Sequence, residues 1–401
     1  MKRLTFSFLL LVASTLPATA QVEFYGFVRN YFVYDTRRNL MSTEGMFNQI
    51  PYDQAFNAAG QDTNAIPTVR FLAITTRLGV NLQGPDVGKA KLTGKVEADF
   101  QAMQGTAATL RLRQAYAKFS WQKASLLAGQ TWHPLSTADN LPDVLALASG
   151  SPFEPFCRNP QLRYDYRTNA LRLSAAALYQ MQYTSVGPQD KSAQYANNAL
   201  FPEVYGSIGY AKGGFLAEWA VDFLSICPRV MTETSNLLVN ERANSLSQML
   251  YLQYKKDLFS LKFKTLYGEN TAHLNMMSGY GATVLNPDGS YAYSPLRALT
   301  SYLDIAYGKT YKFNLFAGYS KNLGSEENLL FQYNRGPKNI NSMYRLVPSF
   351  SYNLPQLSLG IELESTAVTY GDLQANGAVA LNDNLHQVVN HRVCLMMKYL
   401  F

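Results

Sequence analysis

The chain has 401 residues, a formal charge of +7 and only 16% charged residues, against 27 tyrosines and 22 phenylalanines. No stretch after residue 20 approaches the roughly 18 continuous apolar residues of a membrane helix. Cys157, Cys227 and Cys394 give neither a disulfide framework nor a zinc pattern. What remains is a large β-protein, either soluble or inserted in an outer membrane, with no nucleic-acid partner expected.

Residues 1–20 carry Lys2 and Arg3, an apolar run from Leu4 to about Val12, and an Ala18-Thr19-Ala20 cleavage pattern. This predicts a secretory signal peptide over 1–20 and a mature domain over 21–401. Losing Lys2 and Arg3 takes the charge of +7 to about +5.

The first strand is expected at 22–36 and the second at 68–82. In 91–102, Leu92, Gly94, Val96, Ala98, Phe100 and Ala102 share one parity, and Lys91, Thr93, Lys95, Glu97, Asp99 and Gln101 the other. Strict alternation marks a strand with two unlike faces. Its length suits the roughly 9–11 residues that a tilted strand needs to cross a bilayer. In 109–121 the phase breaks, since Leu110 and Leu112 share one face while Ala115, Ala117, Phe119 and Trp121 lie on the other. A bulge near Arg113–Gln114 reconciles them, and so does a different register.

The fifth strand, 124–132, leads into a loop at 133–160 that is long yet apolar, with Leu141, Val144, Leu145, Leu147, Phe153 and Phe156, and is stiffened by prolines at 142, 152, 155 and 160. Water offers such side chains little reason to be there. Either the loop folds into a lumen and narrows it, or it forms a lid on neighbouring loops. Eleven further strands are expected, at 161–168, 170–183, 204–211, 214–225, 246–256, 258–267, 300–308, 311–320, 343–353, 356–370 and 387–401. The connectors alternate between short turns such as "QK", "RT", "KGG", "KD" and "PQ" and much longer loops. About sixteen strands with short turns on one rim and long loops on the other predict an all-β protein, a transmembrane antiparallel β-barrel with an inward-folded third extracellular loop. Lipid forbids open sheet edges, so the last strand, ending at Phe401, must pair with the first. Such a terminal strand is also the segment through which barrel-assembly machinery would act. Tyr267, Tyr307, Tyr319 and Tyr399 have lipid parity and fit an aromatic girdle.

The inward parity then collects thirteen cations (Arg77, Lys91, Lys95, Arg111, Arg113, Arg172, Lys255, Lys262, Lys264, Lys312, Arg345, Arg392 and Lys398) against seven acids (Glu97, Asp99, Glu218, Asp222, Asp304, Glu362 and Glu364). A barrel of this size encloses an aqueous channel. The expectation is a porin of a Gram-negative outer membrane, in contact with its lipid and favouring small anions. Arg77, Lys95, Arg111, Arg113, Arg158 and Arg172 are the expected pore residues. His133, Asp139, Asp143 and Glu154 are the polar groups of the constriction loop. A rival is a sugar- or peptide-selective channel acting with a surface lipoprotein, since tyrosines can stack on sugars. A hydrolase is disfavoured. His133, His273, His386 and His391 belong to no G-x-S-x-G or H-E-x-x-H motif, and no phosphate or dinucleotide fingerprint appears. No catalytic residue, cofactor or metal ligand is therefore assigned.

The phrases "YGFVRNYFVYDTR" (25–37), "LRLRQAYAKF" (110–119), "GQTWHPL" (129–135), "SPFEPFCRNPQ" (151–161), "MQYTSVGP" (181–188), "MSGYG" (277–281) and "NHRV" (390–393) resemble DcaP-like outer-membrane porins, in particular their Bacteroidetes branch. The resemblance implies a sixteen-stranded homotrimeric porin that passes small anions such as dicarboxylates or aromatic carboxylates. Better-known members carry a helical extension before the barrel, which has no counterpart between residue 20 and the first strand. Of the family's ligand contacts only the position of Arg158 carries over.

Overall fold

The computed structural model describes residues 21–104 and 107–401; the expected signal peptide lies outside them. Sixteen barrel positions follow one another: Gln21–Asp35 (β1), Thr68–Leu72 with Arg77–Gln83 (β2, in two pieces), Lys91–Gln104 (β3), Ala107–Ser120 (β4), Ala124–Trp132 (β5), Arg158–Arg167 (β6), Leu171–Leu178 (β7), Glu203–Lys212 (β8), Phe215–Ile226 (β9), Ala243–Lys256 (β10), Phe259–Glu269 (β11), Arg297–Gly308 (β12), Tyr311–Gly324 (β13), Ile340–Asn353 (β14), Leu357–Tyr370 (β15) and His386–Leu400 (β16). Each is antiparallel to the next, and β16 returns to β1 with Phe27 opposite Leu400 and Asp35 opposite Arg392. Among the described residues the sheet closes on itself as a barrel with no free edge.

Alternation sets the two surfaces. On β1, Val22, Phe24, Val28, Phe32 and Tyr34 are exposed, while Tyr31, Val33 and Asp35 between them are buried. On β13, Phe313, Leu315 and Tyr319 face out and Asn314, Phe316 and Ser320 face in. Large apolar side chains left exposed along most wall strands are what a lipid-facing surface requires. Tyr307, Tyr319, Tyr399 and Phe401 are all exposed on the outer face, as an aromatic girdle requires.

Three expectations are refined. The phase break in β4 is a bulge: Glu97 pairs with Gln114 and Ala98 with Leu112, so Arg113 is the extra residue. The second strand is interrupted at 73–76, where Thr76 turns back on the Ala73 carbonyl and Thr75 accepts from Arg29 Nε at 2.9 Å. The strand expected at 170–183 stops at Leu178, because the Gln180 side chain bonds both the amide and the hydroxyl of Ser185 and turns the chain.

Candidate functional site: a loop-narrowed lumen

The loop after β5 (L3, residues 133–157, since β6 already begins at Arg158) crosses the lumen and docks on β10–β15. Most of its polar anchors to the wall are backbone atoms. Tyr251 donates to the Asp139 carbonyl at 2.8 Å, Lys262 to the Leu141 carbonyl at 2.6 Å, and Tyr302 to the Asn140 carbonyl. Glu362 accepts from the Leu145 amide at 2.7 Å and from the Ser149 hydroxyl, while Arg345 donates to the Ser149 and Ser151 carbonyls at 2.9 and 2.8 Å. A loop crossing a barrel leaves many backbone groups without ladder partners, and these wall side chains supply them. The apolar residues follow: Phe153, Phe156 and Ala146 are buried.

L3 does not act alone. The loop after β1 (L1, 36–67) folds a hairpin, Asn39–Ser42 with Phe47–Pro51, against it, so that the Phe47 and Phe156 rings meet edge to face at 5.0 Å. The loop after β11 (L6, 270–296) carries a 3₁₀ turn, Thr271–Leu274, whose Leu274 carbonyl accepts from the Phe156 amide at 2.8 Å. Asn275 bridges the Gln49 amide at 2.7 Å and the Ser151 hydroxyl at 3.0 Å. L1, L3 and L6 together narrow the lumen. Nothing periodic in L1 or L6 announced this.

The expected loop residues fall into different roles. His133 is wholly buried, caps the turn at Pro134–Ser136 through the Leu135 amide (3.2 Å), and reaches Glu203 at 3.1 Å. Asp139 stays half exposed opposite Arg172 at 3.5 Å. Asp143 is gripped by Lys262 and Lys312, each at 3.0 Å; burial would raise its carboxyl, but the two ammonium groups outweigh it and hold it below the usual range. Glu154 lies against Lys264 at 3.3 Å, and there burial prevails over Lys264 and pushes the carboxyl up to about 7.

Of the expected pore arginines, two are corrected. Arg113 is 2% exposed and bonds Glu97 at 2.7 Å and Asp99 at 2.6 Å, because the bulge swings it into the wall. Arg158 is wholly buried at the start of β6, with its guanidinium 3.7 Å above the Trp132 ring and one nitrogen on Gln182 at 3.0 Å. Neither meets the open lumen. Arg111 forks onto Asp99 at 3.0 and 2.9 Å and keeps part of its surface in water.

Two water-accessible chambers lie on the short-turn side of L3. The first, of about 460 Å³, contains the expected Arg77, Lys95 and Arg172 and also Arg163 and Arg167, faced by Glu97, Asp139, Asp165 and Glu218. Its charges nearly balance. The second, of about 370 Å³, is lined by Arg29, Arg77, Lys312 and Lys398, and its one acid is the doubly gripped Asp143. There Phe27 is surrounded: Arg29 and Arg77 lie 4.8 and 5.0 Å from its ring centroid, and Lys398 lies 5.9 Å away. Sequence reasoning missed Arg29, Phe27, Arg163 and Arg167, although all four have inward parity.

The four histidines weighed as catalytic do not meet at one place. His133 and His273 share Glu203, His386 contacts Asp53 at 2.6 Å, and His391 bonds Ser365 at 2.9 Å on the exposed face.

Residues 14–182 match the family model described as DcaP outer membrane protein. Among solved structures, the outer-membrane channel DcaP of Acinetobacter baumannii superposes with a TM-score of 0.68 at 20% identity, covering 95% of this chain and 97% of that one. OmpT of Vibrio cholerae gives 0.55 at 12% identity over 95% and 98%, and OmpF of Salmonella typhi 0.51 at 11% over 95% and 97%. No curated protein matches the sequence significantly. The partial family match, to a model described as an outer membrane protein, and the shared fold agree on an outer-membrane β-barrel.

Proposed function

We propose, from this likeness to DcaP outer-membrane channels and from the charge of the second chamber, that the protein passes small anions, and that dicarboxylates and aromatic carboxylates suit it best. The observation that carries the reading is the Phe27 ring with Arg29, Arg77 and Lys398 around it. The ring offers an apolar face to an aryl group, and the guanidinium forks offer paired donors to a carboxylate. Among the described lining residues the only acid, Asp143, is already held by Lys262 and Lys312. Two charges about 4 Å apart at an effective dielectric of 20 interact by about 4 kcal/mol, and a tenfold bias takes about 1.4 kcal/mol. Arg77 also pairs with Glu97 at 3.6 Å, so the bias falls to Arg29 and Lys398, two cations without an ion-paired acid among the described residues.

Reversal potentials across a planar bilayer under a KCl gradient test the claim, followed by blockade with a benzenedicarboxylate and with a maltooligosaccharide. Anion selectivity and stronger blockade by the dicarboxylate are expected. A cation-selective channel, or one blocked only by the sugar, overturns the reading. For the assembly we propose a homotrimer, as in the trimer form solved for OmpT of Vibrio cholerae, with the strand ending at Phe401 presented to the barrel-assembly machinery.

A further inference from the structure

We propose that His133, Glu203, Asp222 and His273 form a binding site for one divalent transition-metal ion, with zinc the ion they match best, tying L3 and L6 to the barrel wall. The four residues come from four elements: His133 opens L3, His273 sits in the 3₁₀ turn of L6, Glu203 begins β8 and Asp222 lies on β9. All are buried, with exposures of 0%, 3%, 2% and 2% in chain order.

The donor atoms of His133, Glu203 and Asp222 all lie within 4.8 Å of one another, and His273 joins them through Glu203. Glu203 Oε1 lies 3.1 Å from His133 Nε2 and 2.8 Å from His273 Nε2, and Asp222 Oδ1 lies 3.9 Å from His133 Nε2. Bonds of about 2.0–2.2 Å from a tetrahedral zinc place neighbouring ligand atoms about 3.3–3.6 Å apart. The observed separations bracket that spacing. A second observation points the same way: Glu203 Oε2 and Asp222 Oδ1 are buried with no hydrogen-bond partner. Neither carboxylate has a lysine or arginine within ion-pair distance among the described residues. Two carboxylates withdrawn from water without a fixed cation are unfavourable, and one divalent ion neutralises both. Two imidazoles with two carboxylates suit zinc rather than calcium or magnesium, which take oxygen-only sets.

The two histidines are not equally prepared. His273 Nδ1 faces the Asn270 carbonyl at 3.3 Å, which holds a proton there and turns the Nε2 lone pair to the cluster. His133 Nδ1 instead accepts the Leu135 amide at 3.2 Å, so its proton sits on Nε2. Coordination moves that proton to Nδ1 and turns the Leu135 amide away, trading one long hydrogen bond for a metal bond. Metal occupancy and the first turn of L3 are thereby coupled.

Chelator-dialysed full-length protein in detergent, titrated with Co²⁺, provides the test. One Co²⁺ per chain is expected, with the visible bands of a tetrahedral N/O site, displaced by equimolar Zn²⁺. Asp222→Asn combined with His273→Gln should abolish the signal while the barrel stays heat-modifiable. No uptake tighter than about 1 μM by the wild type, or an unchanged signal in the double variant, overturns the proposal. Should the variant fail to fold, zinc X-ray absorption of the wild type decides: two imidazole ligands support the site, and a spectrum without imidazole overturns it.

Discussion

The ring of Phe153 occupies the space that a side chain on Gly318 would fill. Phe153 belongs to L3 and Gly318 to the facing wall strand β13, so the loop is keyed into a notch that only glycine leaves open. A second notch lies on β15, where a Cβ on Gly360 would stand 2.6 Å from a Leu145 methyl. The seat is finished by Arg345, 5.2 Å from the Phe153 ring, and by Phe316.

Filling the notch should therefore move the loop and spare the barrel. Gly318→Val forces the Phe153 ring out, an overpacking cost of about 1–3 kcal/mol. Single-channel conductance should rise while the unboiled protein still migrates as a folded barrel on a denaturing gel. Unchanged conductance in a folded variant would place the constriction elsewhere.

Arg113 and Arg29 should respond oppositely to truncation. Arg113→Ala removes the buried guanidinium that bridges Glu97 and Asp99 but leaves Arg77 and Arg111 beside them, a loss below the roughly 3–5 kcal/mol of an uncompensated buried charge; it should lower the unfolding midpoint and leave reversal potentials alone. Arg29→Ala with Lys398→Ala removes charge from the second chamber and should shift the reversal potential towards zero with little change in stability. Equal selectivity in both variants would sink the assignment.

Glu154 makes L3 sensitive to pH. Its carboxyl is raised by burial from 4.5 to about 7, so the folded loop prefers the protonated form. The stabilisation is complete below about pH 4.5 and is lost as pH rises to about 7. At 1.36 kcal/mol per unit it amounts to about 3 kcal/mol of local stability. Amide protection factors in 133–157, corrected for base-catalysed intrinsic exchange, should fall between pH 5 and 8, and Glu154→Gln should flatten that fall. A loop equally protected at both pH values would contradict it.

The wall was legible in the sequence because lipid and lumen impose opposite demands on alternate residues. That parity located the sixteen wall strands, and it left a bulge near Arg113–Gln114 or a shifted register as the two ways for Leu110 and Trp121 both to face lipid; the structure has the bulge. What parity cannot report is how deep an inward side chain goes. Arg77 and Arg113 share it, yet one meets water and the other is enclosed by acids from β3. Arg158 is hidden by Trp132 and Gln182, which meet only in the fold. The His133–Glu203–Asp222–His273 cluster gathers four elements with no shared spacing, so no motif search could find it.

The seam between β1 and β16 bears on when the protein becomes a barrel. Residues 27–35 meet residues 392–400, the longest sequence separation of any wall pairing, and Arg392 forks onto Asp35 across it at 2.8 Å through both nitrogens. Until that contact forms, the sheet has two edges of unpaired amides that hydrocarbon cannot accept, however complete the other fifteen pairings are. Such distant pairings are slow to form. Insertion is consequently governed by a single late event, and a fault in either seam strand should arrest the chain before it enters the membrane rather than produce a leaky channel within it.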